Sequence, residues 1–114
     1  MPYCEVITNK TIDAELEETI RKEIVRIIEL IPGKEERWIM TRTVDQSRMT
    51  FGGPCDAPVA MINVKTFGEL SDNQYNLLTK ELCASISELI SVPPEKIYVV
   101  YESICHWGWN GQNF

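Results

Sequence analysis

The sequence predicts an α+β fold built from two copies of a βαβ unit: a four-stranded mixed sheet with two helices on one face. Three observations predict it. Two stretches with apolar residues at steps of three and four alternate with four short runs of strand-like composition. Each half follows one plan: strand, helix, proline-bearing stop, lysine, strand. The helices start near Ile12 and Ser71 and the closing strands near Trp38 and Ile97, an offset of 59 residues in both cases. Such a repeat reads as a duplicated unit, each copy right-handed with its two strands parallel.

Residues 2–8 are partly β-branched and aromatic and read as the first strand. Asn9-Lys10-Thr11 is a short connection. Ile12, Leu16, Ile20, Ile24, Ile27, Ile28 and Ile31 then mark one face of a helix. Asp13, Glu15, Glu17 and Glu18 crowd its start, where negative charge suits the helix dipole. Pro32-Gly33 stops it. Lys34 to Arg37 reads as a charged loop, 38–44 as the second strand and 45–50 as a polar connection. Phe51-Gly52-Gly53-Pro54 is a turn, too short for a phosphate loop and not followed by a helix. Residues 58–67 form the third strand, broken by Gly68. Ser71 and Gln74 have the spacing of a capping box. Tyr75, Leu78, Leu82, Ile86, Leu89 and Ile90 make the second apolar face, ended by Val92-Pro93-Pro94. Residues 97–103 are the fourth strand, and Trp107 to Phe114 an aromatic tail. Val6, Met61, Val64, Val99 and their neighbours are the apolar residues available to the uncovered sheet face, the sequence leaving open which of them point that way, and a bare apolar face calls for partner subunits.

At 114 residues the chain is expected to be one domain. Its net charge of −6, with no basic stripe, excludes a nucleic-acid partner. No apolar run approaches the roughly 20 residues of a membrane span. No basic-then-apolar leader opens the chain, so a cytoplasmic protein is expected. Cys4, Cys55, Cys83 and Cys105 form neither a C-x-x-C pair nor a zinc spacing, and are expected to be free thiols in a reducing compartment. The single His106 excludes a multi-histidine metal centre and reads as a turn or edge residue.

Pro2 is the candidate on which a function can be built. Initiator methionine is commonly removed before a small residue, which would leave Pro2 with a free secondary amine. An α-amino group titrates at about 7.7–8.0. An apolar pocket or a nearby cation lowers that, and a base poised near pH 7 suits proton abstraction. A Met-Pro start by itself carries little weight; its place on a strand gives it more.

Pro2 on an opening strand, Gly33-Lys34 after the first helix, Phe51-Gly52-Gly53, Lys96-Ile97-Tyr98 and Trp109 to Phe114 (Trp-Asn-Gly-x-x-Phe) follow a shared order and spacing. In these the chain resembles the macrophage migration inhibitory factor family of tautomerases over its full length. The resemblance implies a homotrimer whose sheets enclose a channel, with sites at subunit interfaces and no cofactor. It implies a keto–enol tautomerase for α-keto acids such as phenylpyruvate, which also isomerises dopachrome-type compounds. Pro2 would be the general base, and Lys34 would face the substrate carboxylate, although by itself it reads as a solvated loop lysine. Tyr98 would reach the site from a neighbouring subunit; alone it reads as a packed strand tyrosine. Phe67 would offer its backbone N–H, with Thr66 before it in place of the usual serine. Trp38, Trp107, Trp109 and Phe114 read equally well as apolar walls of the site or as tail packing. The family's substrate-contacting asparagine is Val100 here. The C-x-x-C of vertebrate members falls on Val59 and Ile62, which disfavours thiol–disulfide exchange. The alternative function is that of a cytokine-like signalling protein, released without a leader and binding a cell-surface receptor, with catalysis incidental.

Overall fold

The computed structural model describes residues 1–54 and 56–114; Cys55 lies outside the described residues. The elements run β1 (Pro2–Thr8), α1 (Ala14–Ile28), β2 (Met40–Val44), β3 (Ala60–Phe67), α2 (Asp72–Ile90), β4 (Ile97–Ile104), β5 (Gly108–Trp109) and β6 (Gln112–Asn113). The main sheet has the order β2-β1-β3-β4. β1 and β2 are parallel, β3 and β4 are parallel, and β1 meets β3 antiparallel. The duplicated βαβ plan is therefore present. Its observed spacing is 58 residues for both the first strands and the helices.

Local chemistry accounts for the helix ends. The Asp13 carboxylate accepts the Leu16 N–H at 2.8 Å, so α1 starts at Ala14 rather than Ile12. It ends at Ile28, short of Ile31: Leu30 and Ile31 donate three residues back rather than four, and Pro32 has no N–H to carry the ladder on. Ile31 is buried all the same. The capping box at α2 is complete: the Gln74 N–H donates to Ser71 Oγ at 3.2 Å, and the Ser71 N–H to Gln74 Oε1 at 2.9 Å.

Strand alternation decides what lies under the helices. Cys4, Val6, Ile62 and Val64 are buried against Ile20, Ile24, Leu82 and Ile86. Each fully buried aliphatic side chain contributes about 1.5–3 kcal/mol relative to an exposed one. Thr8 is buried too, its hydroxyl donating to the Val59 carbonyl at 2.7 Å and accepting from the Lys10 N–H at 3.2 Å.

Three expectations are corrected. The second strand begins at Met40, because Glu36–Trp38 forms a 3₁₀ turn that removes Trp38 from the sheet. The tail is a hairpin, β5–β6, turning at Asn110-Gly111 with φ of 51° and 80°; left-handed backbone is what Asn-Gly permits. The open sheet face is not a bare apolar one. Val6, Val64 and Val99 point to the helices, since residues two apart share a face. The open face carries Met61 but is polar at its centre. There Glu5 accepts from the Asn63 side-chain amide at 3.0 Å and from the Tyr3 hydroxyl at 2.9 Å, and pairs with Arg42 at 3.1 Å. Among the described residues no helix is long and apolar enough to cross a membrane.

Candidate active site

Pro2 opens β1 opposite Thr66 of β3, and both are buried. Pro2 forms part of the wall of an open cleft of about 820 Å³, together with Trp38, Trp107 and Trp109. A second cleft of the same volume lies beyond the other end of β1. Its wall sets Arg48 against Asp56, so no net charge favours an anion there.

The strand ladder runs one step past Pro2. The Phe67 N–H donates to the Met1 carbonyl at 3.2 Å. That carbonyl stands where a substrate oxygen would have to sit to use the same donor. With Met1 removed, the Phe67 N–H loses its acceptor beside the newly freed Pro2 nitrogen. In the full chain the terminal amine is held below its usual value, first by burial and then by the charge of Lys34. Lys34 follows Gly33, whose φ of 86° reverses the chain after α1. It is not part of the cleft wall, yet its charge reaches the terminus.

The aromatic residues form a continuous chain. The Phe67 ring lies 5.7 Å from Phe114, Phe114 stacks on Trp109 at 6.2 Å and 18°, and Trp109 meets Trp38 edge-on at 4.9 Å and 81°. The hairpin holds this chain in place, with the Phe114 N–H donating to the Trp107 carbonyl at 3.0 Å. So wall and tail packing are one arrangement: the tail packs by building the wall. Of this aromatic chain, Trp38 and Trp109 line the cleft, and Phe67 and Phe114 do not.

A profile of the family described as Macrophage migration inhibitory factor (MIF) matches residues 1–114. The chain belongs to this family. It is similar to the macrophage migration inhibitory factor of Rattus norvegicus, 28% identical over 116 residues, with 100% of this chain and 99% of the relative covered. The crystal structure of Leishmania major MIF2 matches with a TM-score of 0.93 at 32% identity, covering 100% of this chain and 97% of that one. Macrophage migration inhibitory factor from Toxoplasma gondii matches with a TM-score of 0.89 at 21% identity, covering 98% and 99%, a likeness of fold alone.

The MIF-family fold does not bring every expected residue to this cleft. Tyr98 faces Met61, five residues before Ser103, which faces Thr66 at the Pro2 end of the sheet. At about 3.3 Å per residue that is roughly 16 Å away. Tyr98 is exposed and packs its ring 4.5 Å from Phe51, in a separate groove. Val100 is likewise exposed on the same strand. Other residues at the cleft were not foreseen: Tyr3, Arg37 and Lys65 line it, as does His106, read from sequence as a turn or edge residue. Tyr3 and Lys65 could have been found from the pairing of β1 with β3, which sets them side by side next to Pro2. Cys4, Cys83 and Cys105 are free, and burial pushes the Cys4 thiol up to about 12, far from a reactive thiolate.

Proposed function

We propose that this MIF-family protein is a cofactor-free keto–enol tautomerase acting on α-keto acids such as phenylpyruvate, with the Pro2 amine as general base. The observation that carries the proposal is the junction at the strand end: Pro2 buried at the cleft, the Phe67 N–H aimed beside it, and the Lys34 charge acting on the chain terminus. Once Met1 is removed, the free amine lies one residue deeper in the strand. The two influences that lower the Met1 amine, burial and then the Lys34 charge, are proposed to act on the Pro2 amine in its turn and to favour the neutral base. The base takes the proton from the carbon beside the ketone, and the C–H electron pair moves into the new C=C bond. The carbonyl π electrons pass to oxygen, where the Phe67 N–H can meet the growing negative charge. The amine then returns the proton to that oxygen. One proton moves and no electrons leave the substrate. Lys34, whose charge reaches the chain terminus from outside the cleft wall, is proposed to hold the substrate carboxylate, and Trp38 and Trp109 in the wall favour an aryl group and keep the amine dry.

Tyr98 lies too far along its own strand to serve its own cleft. The complete site is therefore proposed to form in a homotrimer, with Tyr98 supplied by a neighbouring copy. The test is phenylpyruvate turnover by the chain beginning at Pro2 and by its Pro2→Gly variant. Both keep a terminal amine, but only the first keeps the secondary ring nitrogen. Turnover is expected to fall sharply in the variant; equal rates would refute the assignment of the base.

A further inference from the structure

The cleft over Pro2 is cationic in an acidic protein. The chain has 17 acids against 11 bases, yet this cleft is lined by Arg37, Lys65 and His106 and, among the described residues, by no Asp or Glu. Arg37 is already engaged, with its Nε 2.9 Å from Glu35 and its guanidinium 5.2 Å from the Trp38 ring centre. Lys65 is different. Glu102 stands opposite it on β4, but among the described residues no ion pair claims Lys65. Its ammonium lies 5.9 Å from the centre of the Tyr3 ring. That ring is fixed from below, since the Tyr3 hydroxyl donates to Glu5 at 2.9 Å and Glu5 is held by Asn63 and Arg42. Lys65 is thus a free cation resting on an ordered aromatic shelf, one register step from the Pro2–Thr66 pair. Lys34, in the turn after α1, lies outside the wall that Lys65 helps to form.

We propose that Lys65 is a second anion anchor of this cleft, so that the preferred ligand is an aryl keto acid bearing a second negative charge remote from its α-carboxylate. This rests on the tautomerase reading for its chemistry but not for its binding. A neutral aryl acid leaves Lys65 hydrated and unused. A dianion of the same skeleton can satisfy it with a charge-assisted hydrogen bond, at a site lined by apolar rings.

The protein carries its own probe. It has three tryptophans, Trp38, Trp107 and Trp109, and all of them line this cleft. Tryptophan quenching of the chain beginning at Pro2 is titrated with 3-phenylpropanoate and with 3-(4-carboxyphenyl)propanoate, two unreactive acids differing by one carboxylate. The dianion is expected to bind about tenfold more tightly, with the preference shrinking as salt rises. Lys65→Met should abolish that preference and Lys65→Arg should retain it. No preference in the parent chain, or a preference that survives Lys65→Met, overturns the proposal. Turnover of phenylpyruvate and 4-carboxyphenylpyruvate separates the two readings. A Lys65-dependent preference without turnover of either keto acid keeps the anchor and removes the tautomerase; turnover of phenylpyruvate without the preference does the reverse.

Discussion

Whether the chain begins at Met1 or at Pro2 should change activity and stability in opposite directions. With Met1 in place the Pro2 nitrogen is an amide, its lone pair delocalised into the Met1 carbonyl, and it is not a base. General-base catalysis by a positioned group contributes about 10²–10⁴-fold, so the chain retaining Met1 should be slower by at least that factor. Stability moves the other way. Met1 satisfies the Phe67 N–H through its carbonyl at 3.2 Å. Removing it forfeits a backbone hydrogen bond worth about 0.5–1.5 kcal/mol. In a domain of this size that corresponds to a fall in Tm of about 2–6 °C. Both forms can be released from a common fusion by proteolysis at either position and verified by intact mass. Enol formation from phenylpyruvate is followed by ultraviolet absorbance, and unfolding by circular dichroism. An unreactive carboxylate ligand that accepts the freed N–H should narrow the gap in Tm. Equal turnover by the two forms would place the base elsewhere and undo the reasoning.

Three further outcomes are expected. Burial and then the Lys34 charge lower the Met1 amine; if the same two causes act on the proposed Pro2 base, Lys34→Met removes the second and leaves the first in place. The rising limb of kcat/KM against pH, set by the neutral amine, should therefore shift to higher pH and KM for phenylpyruvate should rise; an unmoved limb would show that Lys34 does not act on the base. Trp109→Ala cuts the aromatic chain between Trp38 and Phe114. At about 0.5–1.5 kcal/mol per aromatic pair, KM for an aryl keto acid should rise about 3–10-fold and that for a short alkyl keto acid much less; equal changes would mean the wall does not read the aryl group. The Glu5 carboxyl is held below its usual value, chiefly by the Asn63 amide, with help from Tyr3 and Arg42 and against its burial. A depressed folded-state value adds stability above the unfolded carboxylate value, near 4.3, and that stability is lost as pH falls through the folded value. Glu5→Gln should thus flatten the acid side of a plot of Tm against pH, and an unchanged slope would contradict this.

Much of the fold was legible because its signals are local. The step pattern of α1 and the Ser71–Gln74 box each lie within a few turns of chain, and the strand–helix–strand plan is a local pattern read twice. The hairpin at Asn110-Gly111 was equally local, and its turn signal stood in the sequence. Trp38 was misplaced because a 3₁₀ turn of three residues leaves no periodicity to read. Of the candidate site, Pro2 was legible from its position and Lys34 from the motif around it. Tyr3 and Lys65 were not, since only the β1–β3 register makes them neighbours across more than half the chain.

The sequence by itself determined the two helices, the four main strands and their order, how the two halves repeat, and that Pro2 begins a strand. Those are properties of neighbours along the chain, set by side-chain spacing and capping. Only the tertiary structure decided that the open sheet face is polar at its centre, that four aromatic residues join into one chain of ring contacts, and that Tyr98 lies at the wrong end of its own strand to meet Pro2. Each depends on which strands pair and in what register, and one residue of slip would turn every side chain to the opposite face.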